Sequence, residues 1–156
     1  MAAVKPIPDG YTSITPYLIV DGAAKAIDFY KQAFGAIERY RLGGPDGRVG
    51  HAELTIGGSV IMLADEHPAM GALSPRTVGG TPVGIMVYLP DVDASVDRAV
   101  GAGAKLLNPI ENKFYGDRMA TIEDPFGHKW YVSTHFEDVP PEEIARRATA
   151  MHGQSA

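Results

Sequence analysis

The sequence predicts an α+β domain in which one strand–helix–strand–strand–strand unit is written twice, followed by a C-terminal helix. Three observations carry this. Two runs share one order of parts: Tyr17-Leu18-Ile19-Val20 leads to an apolar-periodic segment ending at Phe34-Gly35-Ala36, and Val87-Tyr88-Leu89-Pro90 leads to another ending at Ala102-Gly103-Ala104. Each is followed by short strands joined at a turn, Gly57-Gly58 in the first copy and Asp124-Pro125-Phe126-Gly127 in the second. The landmarks also keep step, since nearly the same interval separates Gly35 from Gly103 as separates Ile61 from Trp130. Two copies of one unit bury a shared core and enclose a site at their junction, so a single cavity-bearing domain over 1–156 is expected. The first module is placed at 14–66 and the second at 82–135, with a connector at 67–81 and a tail at 136–156.

Each element has a local reason. Residues 1–13 carry two prolines and a glycine and read as an arm, and 14–20 is a β-rich run. Asp21 is a candidate helix cap, and Ala23, Ala26, Ile27, Tyr30, Ala33 and Phe34 recur at helical spacing before Gly35 stops the helix. Residues 37–42 read as a strand and 43–47 as a loop. Residues 50–56 and 59–63 form a hairpin over two glycines suited to positive φ. Residues 65–81 are polar and punctuated by Gly and Pro, a linker or a flap. A strand over 83–89 precedes a helix from near Asp91 or Asp93 to Gly101, with Val96, Ala99 and Val100 inward. A further strand over 105–110 and a loop over 112–116 lead to the closing hairpin of 118–123 and 129–134. In the tail, Pro140-Pro141 start a helix whose Glu142-Glu143 and Arg146-Arg147 match the helix dipole.

Composition narrows the chemistry. Of 156 residues, 45% are hydrophobic and 21% charged, as in a globular chain, and no apolar run reaches the length of a membrane span. The start Met1-Ala2-Ala3-Val4-Lys5 has no signal-peptide core, so a cytoplasmic protein without membrane partners is expected. Zero Cys removes disulfides, thiol nucleophiles and Cys-based zinc sites. A net charge of −5 without any Lys/Arg cluster argues against a nucleic-acid partner.

Several stretches together resemble the vicinal-oxygen-chelate superfamily, which includes glyoxalase I, bleomycin-resistance proteins and extradiol dioxygenases, and within it the bacterial PhnB-like branch. They are Phe29-Tyr30 with Ala33-Phe34-Gly35-Ala36, Gly50-His51-Ala52-Glu53-Leu54, Leu63-Ala64-Asp65-Glu66, Asp91-Val92-Asp93-Ala94, Phe114-Tyr115-Gly116-Asp117-Arg118, Asp124-Pro125-Phe126-Gly127-His128-Lys129-Trp130 and Thr134-His135-Phe136-Glu137-Asp138-Val139. The resemblance spans residues 14–147. It implies two βαβββ modules whose paired, curved mixed sheets surround a cleft, and a homodimer. It also implies where a divalent metal would be ligated: Thr15, Met62, near Gly84, and Tyr131. None of these is a good ligand for Zn²⁺, Mg²⁺ or Mn²⁺. The expectation is therefore a protein with no metal and no other cofactor, the alternative being a divalent ion on displaced ligands.

Strand alternation sorts the faces. Leu18, Val20, Ala52, Leu54, Ile56, Ile61, Leu63, Ile85, Val87, Leu89, Trp130 and Val132 are assigned to the helix side. The opposite parity leaves Tyr17, His51, Glu53, Met62, Met86, Tyr88, Tyr131 and Ser133 for the cleft, a lining suited to a planar, moderately apolar ligand. His51 and Glu53, two apart, project together and form a candidate catalytic pair, the carboxylate raising the basicity of the imidazole. Arg118 is a candidate ligand-binding cation for a carboxylate or phosphate, against the plainer reading of an ion pair. Tyr17, Met62, Met86, Tyr88 and Tyr131 complete the expected binding set. Two readings follow: a metal-free binder of a small organic molecule, and a glyoxalase-type lyase or isomerase working through His51 and Glu53. A purely structural interaction module has less in its favour.

Overall fold

The computed structural model describes residues 2–153. Met1, where the expected arm begins, and residues 154–156 at the end of the tail lie outside them. The first module runs β1 (Tyr17–Val20), α1 (Ala23–Phe34), β2 (Ile37–Gly43), β3 (Val49–Ile56) and β4 (Ser59–Asp65). The connector holds a 3-10 turn (Pro68–Met70) and a short helix, α2 (Pro75–Val78). The second module repeats the order as β5 (Gly84–Tyr88), α3 (Val92–Gly101), β6 (Lys105–Asn112), β7 (Asp117–Glu123) and β8 (Lys129–His135), and α4 (Pro141–Gly153) follows. Each module makes a four-stranded mixed sheet, ordered β1-β4-β3-β2 and β5-β8-β7-β6. In both, the first strand pairs in parallel with the last: Tyr17 lies opposite Met62, and Met86 opposite Tyr131. This is the expected α+β fold of two βαβββ modules.

Alternation sets which face is buried. Leu18, Val20, Ala52, Leu54, Leu63, Trp130 and Val132 all lie in the core, and α1 covers those of the first sheet with a buried face that includes Ala26, Ile27, Phe29, Tyr30, Ala33 and Phe34. α1 also reaches the buried face of the second sheet: the Phe34 and Tyr30 rings lie 4.7 Å and 5.3 Å from the Trp130 ring. α3 packs beside α1 and on the second sheet, burying Val92, Ser95, Val96 and Ala99. Val100, expected inward, is 44% exposed, because helical spacing turns it off the buried stripe of Val92, Val96 and Ala99.

The turn between β7 and β8 locks this packing. Asp124 is buried, and its Oδ2 accepts from Tyr30 Oη at 2.6 Å and from Trp130 Nε1 at 2.9 Å. Its Oδ1 accepts from the backbone N–H groups of Phe126 and His128. Burial, then the neighbouring Asp124 charge, pushes the Tyr30 hydroxyl well above its ordinary pKa, so it stays a donor.

Helix α1 is not capped by Asp21. Gly22 stands at the cap with φ 100°, and Asp65, from the end of β4, accepts the Gly22 and Ala23 N–H groups at 2.9 Å each and that of Val49 at 2.7 Å. Burial alone would raise the Asp65 carboxyl; the three backbone donors outweigh it and hold the pKa below its ordinary value. The tail helix α4 has no buried residue among those described and is tethered by Arg147, which donates to Glu137 and the Phe114 carbonyl. No helix among the described residues is long and apolar enough to cross a membrane.

Candidate functional site

The face of the first sheet turned away from α1 carries a polar cluster built on Glu53. Glu53 sits mid-strand in β3, opposite Met62, and is 5% exposed although it points away from the apolar core. Burying a carboxylate demands donors. Its Oε1 accepts from Tyr40 Oη at 2.9 Å and lies 3.1 Å from His51 Nε2. Its Oε2 accepts from the hydroxyl of Tyr11, in the N-terminal arm, and lies 3.9 Å from Arg39 Nε. Tyr17 Oη stands 2.8 Å from His51 Nδ1. A carboxylate only accepts, so in the neutral imidazole the proton belongs on Nε2, and Nδ1 accepts from Tyr17. Tyr17, His51 and Glu53 thus form one hydrogen-bonded chain, as their shared strand parity predicts. Desolvation, then the nearby Tyr40, raises the Tyr17 pKa.

A break in strand regularity completes the cluster. In β2, Glu38 opposes Leu54 and Tyr40 opposes Glu53, so Arg39 is an extra residue without a partner on β3. A bulge of this kind re-aims side chains. Arg39 and Tyr40 both turn toward Glu53, while Glu38 and Arg41 meet on the other face in a bidentate pair at 2.6 and 2.8 Å. That pair, with Lys31, lowers the Glu38 pKa to about 2. A hollow of about 600 Å³ opens over Glu53, roofed by the arm and walled by Tyr11, Thr15, Arg39, Tyr40 and Met62. Tyr17 lines a second trough, of about 540 Å³, that runs toward Ile19, Gly50, Ala64 and Met70.

The second sheet presents a different cluster. Asp117, 4% exposed, accepts from Tyr88 Oη at 2.9 Å and lies 2.7 Å from His135 Nδ1, whose Nε2 is 2.8 Å from Asp138. These two carboxylates raise the His135 pKa above its ordinary value, and the bond to Asp117 raises that of Tyr88. The surrounding hollow, of about 470 Å³, includes Tyr115 and Ile144. Met86 and Tyr88 also line a crevice of about 380 Å³ against the β3–β4 hairpin.

The expected lining is therefore divided. His51, Glu53, Tyr17 and Met62 share the first sheet's outer face; Met86, Tyr88 and Tyr131 share that of the second. Tyr17 and Met62 line separate hollows. Arg118 is not on either outer face: it has the parity of the buried Ala120 and Ile122 and holds Asp93 of α3 through two bonds of 2.8 Å. The ion-pair reading applies to it, with Asp93 as the partner. Tyr11, Arg39 and Tyr40 were not among the expected site residues.

The four positions at which the family resemblance implies metal ligands do not fit a divalent cation. They supply a hydroxyl, a thioether, a phenol and, at Gly84, nothing. A Cβ built on Gly84 would lie 2.3 Å from the Tyr131 ring, so that ring fills the space into which a ligand at 84 would extend. Among the described residues no group of three His, Asp or Glu side chains is arranged to hold an ion.

Comparison with known proteins agrees with this architecture. An uncharacterized Mycobacterium tuberculosis protein, Rv0887c, is 44% identical over 135 residues, covering 85% of this chain and 79% of its own. The crystal structure of TioX from Micromonospora sp. ML1 superposes with a TM-score of 0.63 at 27% identity, over 80% of this chain and 99% of that one. The Arabidopsis thaliana protein At5g48480, solved by X-ray methods, also gives 0.63, at 29% identity over 79% and 98%. The family profile described as Glyoxalase/Bleomycin resistance protein/Dioxygenase superfamily matches residues 11–132, and with the doubled βαβββ fold it places this chain in that superfamily.

Proposed function

We propose that this protein, a member of the superfamily's PhnB-like branch, binds a small organic molecule in the hollow over Glu53, without a divalent ion at the positions its relatives use. The observation that carries this reading is a buried carboxylate at the floor of an open hollow, hydrogen-bonded by side chains from three separate elements: Tyr11 of the arm, Tyr40 of β2 and His51 of β3. Such convergence of polar groups in a concave, partly aromatic wall is the usual form of a ligand site. No cofactor is invoked. The partner is the small molecule and a second copy of the chain, nucleic acid and membranes having no part, and the setting is the cytoplasm. Exposed aromatic and Met side chains on both outer sheet faces (Tyr17, Tyr40, Met86, Tyr88) give a second copy an apolar surface to cover.

One observation favours a second reading, acid–base catalysis of a glyoxalase-type lyase or isomerase reaction. The Tyr17–His51–Glu53 chain could take a proton from a bound substrate or return one at the Tyr17 hydroxyl, with His51 and Glu53 relaying it. Turnover of a hemithioacetal that disappears in His51→Ala would select it.

The test is a ligand-observed NMR screen of small aromatic and carbonyl compounds, run before and after dialysis against EDTA, with metal content and sedimentation measured on the same sample. Binding that survives chelation, less than stoichiometric metal and a dimer are expected. Binding that is lost with EDTA and restored by one equivalent of Mn²⁺ or Zn²⁺ would overturn the metal-free reading.

A further inference from the structure

Tyr11 meets the first sheet in the manner of a ligand. It belongs to the arm, outside every strand. Among the described residues of that arm, its hydroxyl on Glu53 Oε2 is the hydrogen bond that reaches the sheet; the others close on the arm itself, as in Lys5 to Asp9 and Tyr11 N–H to the Pro8 carbonyl. The guanidinium of Arg39 lies 5.0 Å from the centroid of the Tyr11 ring, in cation–π range. The site therefore reads two properties of this side chain at once, a flat aromatic face and a hydroxyl proton on the ring. Both readers come from the sheet, and the bulge that turns Arg39 inward supplies one of them.

We propose that the Glu53 hollow is a hydroxyaryl-binding site, and that Tyr11 is its built-in occupant, withdrawn with the arm when a ligand bearing a phenolic hydroxyl enters. The proposal rests on the binding reading above and names the ligand class for it. Phenols suit the site and aryl carboxylates do not, because Glu53 repels an anion and accepts only from a donor. The hollow, about 600 Å³ with Thr15 and Met62 in its walls, leaves room for a ligand larger than one ring. An arm tethered next to its own site competes at an effective concentration in the millimolar range, so a free phenol meets a weakened site until the arm is disabled.

p-Cresol, which is the tyrosine side chain as a free molecule, and toluene, which lacks only the hydroxyl, are the probes. Both are titrated into 15N- and methyl-labelled wild type, Tyr11→Ala and Tyr11→Phe, with Glu53→Gln as a control. Tyr11→Ala should bind p-cresol about tenfold more tightly than wild type, with shifts at Met62 and Arg39. Toluene should bind roughly ten- to hundredfold more weakly than p-cresol, the factor carried by a hydrogen bond to a charged acceptor. Tyr11→Phe keeps the ring under Arg39, so it should fall between wild type and Tyr11→Ala; it also serves should the alanine variant fail to fold. Equal p-cresol affinity in wild type and both variants would show that Tyr11 is a structural strap and overturn the proposal. Equal affinity for the two probes would overturn the ligand class. If other screened molecules still shift the Glu53 hollow in wild type, the binding reading stands without this class. If nothing shifts it in any variant, both fail.

Discussion

His135 is where a single group makes the fold sensitive to pH. Its imidazole lies between Asp117 and Asp138, and both carboxylates raise its pKa above the ordinary value, Asp117 first. A histidine whose folded pKa is raised contributes its stabilisation fully below the unfolded pKa and loses it as pH rises through the folded pKa. The bridge from the sheet to the start of the tail should therefore hold at mildly acidic pH and weaken as pH rises past the ordinary histidine range. The His135 ring protons, followed by NMR, should titrate later than those of an unpaired histidine. Asp117→Asn should return the midpoint toward the ordinary value; an unchanged midpoint would show that Asp117 does not set it. Glu53 differs in kind, since its partners are two phenols, an imidazole and a distant guanidinium, and the cluster selects by hydrogen-bond direction.

Strand β2 shows what one additional residue does to an element. Arg39 has no partner on β3, yet the pairs on either side of it, Glu38 with Leu54 and Tyr40 with Glu53, follow one another without a gap on β3. Removing Arg39 should thus leave regular pairing from Glu38 to Leu42 with Tyr40 still on Glu53. The variant is expected to fold, with the resonances of β3 and β4 in place, while those of residues 6–13 narrow toward random-coil values as the shelf under Tyr11 disappears. Loss of the β3 and β4 signals would mean that the bulge supports the sheet itself. This element also marks the limit of sequence reading. Parity correctly sent His51, Glu53, Tyr17 and Met62 to one face, because period-two alternation holds along β3, β4 and β1. It could not find Arg39, since a bulge breaks the period, nor Tyr11, which reaches Glu53 from across the chain. Asp65 stayed hidden for a related reason: its carboxylate serves a helix that begins far earlier in the sequence. For Arg118 the sequence left a ligand-binding and an ion-pair reading open, because nothing local shows that Asp93, from α3, is its partner.

The molecule as a whole is joined through Asp124. Its carboxylate collects one phenol from the first module, one indole from the second and two backbone donors of its own turn, all in the shared core. Removing a buried acceptor leaves each donor unsatisfied. Asp124→Ala should cost roughly 3 kcal/mol or more, whereas Tyr30→Phe, which removes one donor and leaves the others bonded, should cost about 1–2 kcal/mol. Urea melts followed by Trp130 fluorescence and by far-UV circular dichroism should coincide in the wild type, since the two modules share one apolar interior. Separate transitions would mean that the modules melt independently.

The irregular outer strands have an implication for solubility. β2 ends one sheet and β6 the other, and both depart from regular pairing, β6 around Pro109. An open, flat edge is a template onto which a foreign strand can zip, and bulges and prolines spoil that template. Growth of either sheet by lateral addition at these two borders would first require the kinks to be ironed out, which discourages fibrillar clumping.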